Sequence, residues 1–192
     1  MNYTILYIIL LIIICLIIIN IYINKEDIVL GKTKEGIECY LNRGVNKGEI
    51  NRILGNQYYT GIKWECVEFI RRYLILKKRI TFENVESALK LIDLSNMIYI
   101  DSLLSKEIIH FKNGENEIKE GDLIISINQK DNKNGHVIII SSINGNEIEI
   151  IEQNYDNRSW EDRNYSRKWY KKGNRVYSDN KKEKIIDIIR LI

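Results

Sequence analysis

Two isoleucine-rich runs, 137–143 and 147–153, flank the turn triplet Asn144-Gly145-Asn146, and this hairpin signal constrains the fold more than any other feature of the chain. Loop length then sets the register. With a three-residue loop Ile143 faces Glu147, and counting outward brings His136 opposite Asn154. Side chains two apart on a strand share a face, so Glu152 lies on the same face, diagonal to the histidine. A one-residue slip in the loop would reverse that parity.

The remaining elements fall around this hairpin. The chain has no proline, so its turns rest on Gly and Asn. Residues 31–61 read as loops with short elements. Residues 64–77 show helical spacing, with Val67, Ile70, Tyr73 and Leu74 on one face and Phe69 and Leu76 widening it. Residues 83–91 read as a second, shorter helix with Thr81 as its cap. Residues 122–127 form a further apolar strand, and 185–192 are placed to close the sheet. Helices first and an antiparallel sheet later predict an α+β domain with N-terminal helices packed on the sheet.

Ahead of that domain, Tyr3–Ile23 carries no charged residue and is long enough to cross a bilayer as a helix. No basic segment precedes it and no small-residue cleavage site follows, which argues against a cleaved signal. Being apolar all round, it does not fit the surface of a soluble domain. The expectation is a single-pass transmembrane anchor over 1–24 and one domain over 25–192. Lys25, Lys32 and Lys34 follow the run, and by the positive-inside rule they favour the cytoplasmic side for the domain.

The chemistry centres on Cys66, in Trp64-Glu65-Cys66-Val67-Glu68-Phe69, at the first turn of the expected helix. The positive end of the helix dipole favours thiolate, the attacking species, and the free amides there can bind an oxyanion. A thiol, the His136 imidazole and an acceptor from Glu152 or Asn154 are the parts of nucleophilic amide hydrolysis. The three cysteines, Cys15, Cys39 and Cys66, are too few and too odd in number for a disulfide framework. A Cys39–Cys66 bridge would silence the nucleophile. His110, the other histidine, lies among apolar neighbours and reads as structural.

The formal charge is +3 from 29 basic and 26 acidic residues, which gives no electrostatic reason to expect nucleic acid. The basic and aromatic stretch 155–172 reads as a solvated cover over the edge of the site. Two histidines and scattered acids offer no metal-ligand spacing, and no cofactor is implied.

The run Tyr59-Thr60-Gly61-Ile62-Lys63-Trp64-Glu65-Cys66-Val67-Glu68-Phe69-Ile70-Arg71-Arg72 resembles the nucleophile segment of CHAP-domain amidases. Within that group it is similar to the amidase domains of the glutathionylspermidine and trypanothione synthetases. Gly135-His136-Val137-Ile138 resembles the family's histidine strand, Glu149-Ile150-Ile151-Glu152-Gln153-Asn154 its acidic strand, and Gly121-Asp122-Leu123-Ile124 the strand before the histidine.

The resemblance implies a papain-like CHAP fold with Cys66 as nucleophile and His136 as general base and acid. Glu152 would orient the imidazole and Asn154 would support the site. It also implies substrate binding by Arg71, whose planar fork suits a carboxylate; a salt bridge to Glu68 is the other reading of that arginine. Glu65 departs from the glutamine usual before the nucleophile, and an ionised carboxylate there cannot donate to an oxyanion. The implied substrate is a peptide or peptide amide. One form is a glutathione–polyamine conjugate and another a peptidoglycan amide; an inactive peptide-binding module is the reading that Glu65 favours.

Overall fold

A computed structural model describes residues 3–23, 27–44, 48–128 and 133–192. In chain order the elements begin with α1 (Tyr3–Ile23), β1 (Val29–Lys32), β2 (Glu38–Tyr40), β3 (Ile50–Ile53), β4 (Tyr58–Ile62) and α2 (Cys66–Lys78). They continue with β5 (Ile80–Thr81), a 3-10 helix (Ala88–Asp93), β6 (Asn96–Tyr99), β7 (Ser105–Phe111), β8 (Leu123–Asn128) and β9 (His136–Asn144). The chain closes with β10 (Glu147–Ile151), β11 (Arg167–Lys172), β12 (Arg175–Tyr177) and β13 (Glu183–Leu191).

A nine-stranded sheet in the order β12-β11-β10-β9-β8-β13-β7-β6-β5 organises the molecule. Successive residues of a strand point to opposite faces, and the two faces build two cores. Leu123, Ile125, Val137, Ile139 and Ile189 join Phe69, Ile70 and Leu74 of α2 in one cluster. Ile124, Ile138, Ile140, Ile148 and Ile188 join Trp169 and Val176 in the other. This explains why the central strands read as unbroken isoleucine rather than alternating: they are buried on both faces. Strand β13 does not cap an edge but runs between β8 and β7.

Two parts of the expected fold are corrected. The arrangement of N-terminal helices on a sheet behind a transmembrane helix gives way to a mostly sheet protein, with thirteen strands against two α-helices among the described residues. The second helix is not formed as expected, and Ile80 and Thr81 ahead of it pair with Tyr99 and Ile98 as a short strand. Thr81 is therefore no cap, and only a 3-10 turn follows, anchored by buried Ala88 and Leu91.

The second correction concerns the membrane. Residues 3–23 are helical, but among the described residues no helix is long and apolar enough to cross a membrane. The transmembrane anchor and the single-pass localisation drawn from it are therefore withdrawn, together with membrane partnership through residues 3–23. Lys25, one basis for the membrane side, lies outside the described residues.

The hairpin differs from expectation in an instructive way. Asn144 pairs with Glu147, so the loop has two residues, not three. Taken alone, that slip would put His136 and Glu152 on the wrong parity. A bulge intervenes: Glu149 faces Ser142 and Ile150 faces Ile140, leaving Ser141 as the extra residue. Beyond the bulge Ile151 faces Ile139, which is the register that the three-residue loop would have given. The bulge re-aims the end of the strand.

Candidate active site

Helix α2 begins at Cys66 itself. The chain reaches it through Gly61 at φ +142, where a Cβ would stand 3.1 Å from the Glu68 Cα, and through Trp64 at φ 61. Only glycine tolerates that close approach of β4 to the helix. Trp64 is fixed by its indole N–H, which donates to Asp27 Oδ1 at 2.8 Å. Glu65 is the last extended residue before the helix, at φ −78 and ψ 158. Its carbonyl accepts the Phe69 N–H at 3.1 Å, so the amides of the first turn remain directed out of the helix end.

Below this end lies a charged hub. Glu68, wholly buried, accepts from Asn51 Nδ2 at 2.9 Å, Thr60 Oγ1 at 3.0 Å and Gln153 Nε2 at 3.1 Å. Arg72, one turn on, reaches it with Nε at 2.8 Å and Nη2 at 3.2 Å. Gln153 also donates to the Glu65 carbonyl at 3.3 Å and accepts the Tyr40 N–H at 2.7 Å. The side chain between Glu152 and Asn154 thus ties the helix start to the end of β10.

His136 opens β9 after Gly135, which sits at φ +68. Its Nε2 lies 2.9 Å from Glu152 Oε2. Burial by itself would pull the imidazole down. The hydrogen bond and charge of Cys66, with those of Glu152, more than reverse this and push it up to about 10. Glu152 is buried, which would raise its carboxyl; the His136 hydrogen bond and the Arg167 charge outweigh that and hold it down at about 2. Arg167 Nε and Nη2 grip the two carboxylate oxygens at 2.6 and 3.1 Å, and Ser166 Oγ donates to Oε1 at 3.1 Å. The Tyr155 ring lies 5.3 Å from the imidazole and 3.7 Å from the Arg167 Cζ.

Cys66, His136, Glu65, Asn154 and Arg71 all line one cleft of about 660 Å³. Asn154 does not orient the histidine. Its Nδ2 donates to Glu65 Oε2 at 2.7 Å, while Asn42 Nδ2 donates to Oε1 at 3.0 Å. Arg71 makes no salt bridge to Glu68. Its Nη1 donates to the Thr60 carbonyl at 2.8 Å and its Nη2 to that of Glu83 at 3.0 Å, and among the described residues its Nε has no partner. Burial lowers the Arg71 guanidinium from its ordinary value.

The other two titratable candidates stand apart from this chemistry. Cys39 is a free thiol whose Sγ donates to the Glu152 carbonyl at 3.4 Å, and burial pushes it up to about 12. His110 has both ring nitrogens engaged, by Asp187 at 2.6 Å and the Leu94 carbonyl at 2.8 Å, in keeping with a structural role.

Reading the sequence missed Arg167, Tyr155 and the Glu68–Arg72–Gln153 hub. The i, i+4 spacing of Glu68 and Arg72 was a usable signal. Nothing local singled out Arg167 within its basic run.

The sequence model of the CHAP domain matches residues 57–154, from β4 through Asn154. Trypanothione synthetase of Crithidia fasciculata is 29% identical over 134 residues, 69% of this chain and 21% of that protein. The bifunctional glutathionylspermidine synthetase/amidase of Escherichia coli (strain K12) is 36% identical over 100 residues, 50% of this chain and 16% of that protein. The chain therefore spans about a fifth or less of the length of these relatives.

Proposed function

Because this chain belongs to the CHAP domain family, we propose that it hydrolyses peptide-like amide bonds, with the Cys66 thiolate as nucleophile. His136 Nε2 is turned to Glu152, which leaves Nδ1 for the thiol. Cys66 Sγ attacks the carbonyl carbon, and the oxyanion forms against the amides at the start of α2. The His136 imidazolium gives its proton to the departing amine as the C–N bond breaks, leaving a thioester on Cys66. Neutral His136 then takes a proton from water, the hydroxyl adds to the thioester, and the acid leaves as the thiol re-forms. Glu152 fixes the ring and stabilises its cationic form.

One observation carries this reading: the His136 imidazole stands between Cys66, at the start of α2, and Glu152 Oε2, and is hydrogen-bonded to both. A thiol, an imidazole and a carboxylate in series at one cleft wall are the parts that thiol hydrolysis needs.

For the substrate we propose a glutathionylspermidine-like amide, supported by the 36% identity to a glutathionylspermidine synthetase/amidase. Arg71 lines the cleft, but it is buried with Nη1 and Nη2 held by the Thr60 and Glu83 carbonyls, so here it shapes the cleft wall rather than offering a fork to a substrate carboxylate. Glu65 has both oxygens occupied by asparagine amides, so it is held in place rather than left to meet the oxyanion. This favours an active enzyme over an inactive binding module.

The test is hydrolysis of glutathionylspermidine and of muropeptides by the purified chain, with Cys66→Ala as control. Release of spermidine that disappears in Cys66→Ala supports the proposal. Turnover of muropeptides alone replaces the substrate class, and turnover of neither by a folded protein overturns the hydrolase reading for these amides.

A further inference from the structure

Behind the histidine, one guanidinium joins two buried carboxylates. Arg167 faces Glu152 with Nε and Nη2. Its outer edge faces Glu183 Oε2, at 3.2 Å from Nη1 and 3.3 Å from Nη2, and Asp179 Oδ1, at 2.6 Å from Nη1. Glu183 is itself held by Ser126 Oγ at 2.7 Å and Ser178 Oγ at 2.6 Å. Tyr155 covers the guanidinium face at 3.7 Å and accepts from Asn180 Nδ2 at 2.6 Å. The side chains of Glu152 and Glu183 are 3% and 1% exposed, so bulk water does not screen these contacts.

We infer that Arg167 is a positioning residue for the Cys66–His136 pair: its two-point grip keeps Glu152 ionised and in the plane from which it accepts the His136 Nε2 proton. The inference rests on the proposed roles of Cys66 and His136. A carboxylate that must only accept has to be kept from taking a proton itself. The groups facing Glu152 are few. From β9 comes His136, from β11 and the loop before it come Arg167 and Ser166, from the loop after β10 comes Tyr155, and the Cys39 thiol from β2 meets only its carbonyl. Arg167 is the only one of these with a permanent positive charge. Without it the site would hold a buried excess of negative charge and would take up a proton. Arginine is required because lysine offers a point charge and no fork.

The effect on Glu152 supports this, since the Arg167 charge and hydrogen bond help hold that carboxyl at about 2. The same contacts raise the Arg167 guanidinium in spite of its burial, so it stays charged at every working pH.

The test follows the rate of Cys66 alkylation by iodoacetamide from pH 4 to 9, with peptide mass spectrometry separating Cys66 from Cys15 and Cys39. The full chain, Arg167→Met and Arg167→Lys are compared, and circular dichroism checks that each is folded. In Arg167→Met the acid-side fall in rate is expected to move up by about one pH unit or more. Arg167→Lys is expected to keep that position near the wild type while lowering the plateau, because it restores charge without the fork. A purely structural role would lower the rate equally at all pH values. Folded Arg167 variants with the wild-type profile and plateau would overturn the inference. If Arg167→Met fails to fold, Arg167→Lys decides: an unchanged plateau and profile refute the grip. A wild-type Cys66 no faster than the exposed Cys15 would instead strike at the proposed function, whatever the variants do.

Discussion

Replacing Glu152 by glutamine tests the charge logic of the site through stability alone, with no substrate required. The Glu152 carboxyl is held down from 4.5 to about 2. At ~1.4 kcal/mol per pH unit, that difference is worth about 3 kcal/mol to the folded state. The sign is fixed by the direction: a carboxyl held low in the fold contributes fully above 4.5, and the contribution is lost as pH falls through about 2. Glutamine keeps the shape but cannot ionise, so Arg167 retains only Glu183 and Asp179 as charged partners.

Wild type should therefore exceed Glu152→Gln by about 3 kcal/mol near pH 6, a urea midpoint difference of roughly 1.5 M at a slope of ~2 kcal/mol/M. By pH 3 the gap should shrink to about half or less. Urea denaturation of both proteins from pH 7 to 2.5 reads it directly. A gap of the same size at pH 6 and pH 3 would refute the reasoning, because it would mean that Glu152 is not an ionised partner in the fold.

Other substitutions probe neighbouring parts of the site. Glu68→Ala leaves Arg72 buried without its carboxylate, and thermal denaturation should show a loss of about 3–5 kcal/mol; a loss under 1 kcal/mol would contradict the hub. Gly135→Ala places a Cβ at positive φ and 2.8 Å from Leu89 Cγ; it should cost ~1–2 kcal/mol or more and reduce turnover by moving His136. Glu65→Gln removes a negative charge next to Cys66, and kcat should rise several-fold with little change in KM; an unchanged or lower kcat would show that Asn42 and Asn154 already neutralise the carboxylate.

Two local signals were legible, the helix start at Cys66 and the hairpin that sets His136 near Glu152, whereas the meeting of Cys66 with His136 was implied by the resemblance to CHAP amidases. A helix start follows Trp64-Glu65, and a strand pair follows Asn144-Gly145-Asn146. The derived register reached the right place by a wrong route, since a shorter loop and a bulge at Ser141 offset one another. No propensity rule specifies such a bulge. At 83–91 the expected helix is replaced by irregular chain and a 3-10 turn that starts at Ala88, and Thr81, read as its cap, pairs with Ile98 of β6 instead. Glu152 and Asn154 looked equivalent as orienters, both polar and two residues apart. Only the packed structure separates them, giving Glu152 to His136 and Asn154 to Glu65. Arg167 was illegible because its partners Glu152, Asp179 and Glu183 are scattered over 32 positions and meet only through the crossing of β10, β11 and β13.

The central claim is that His136 makes a nucleophile of Cys66. The most direct measurement compares the iodoacetamide reaction rate of Cys66 at neutral pH in the wild-type chain and in His136→Ala, resolved by peptide mass spectrometry. Cys66 should slow by about tenfold or more without the imidazole, while buried Cys39 stays unreactive in both. Equal Cys66 rates in the two folded proteins would contradict the account.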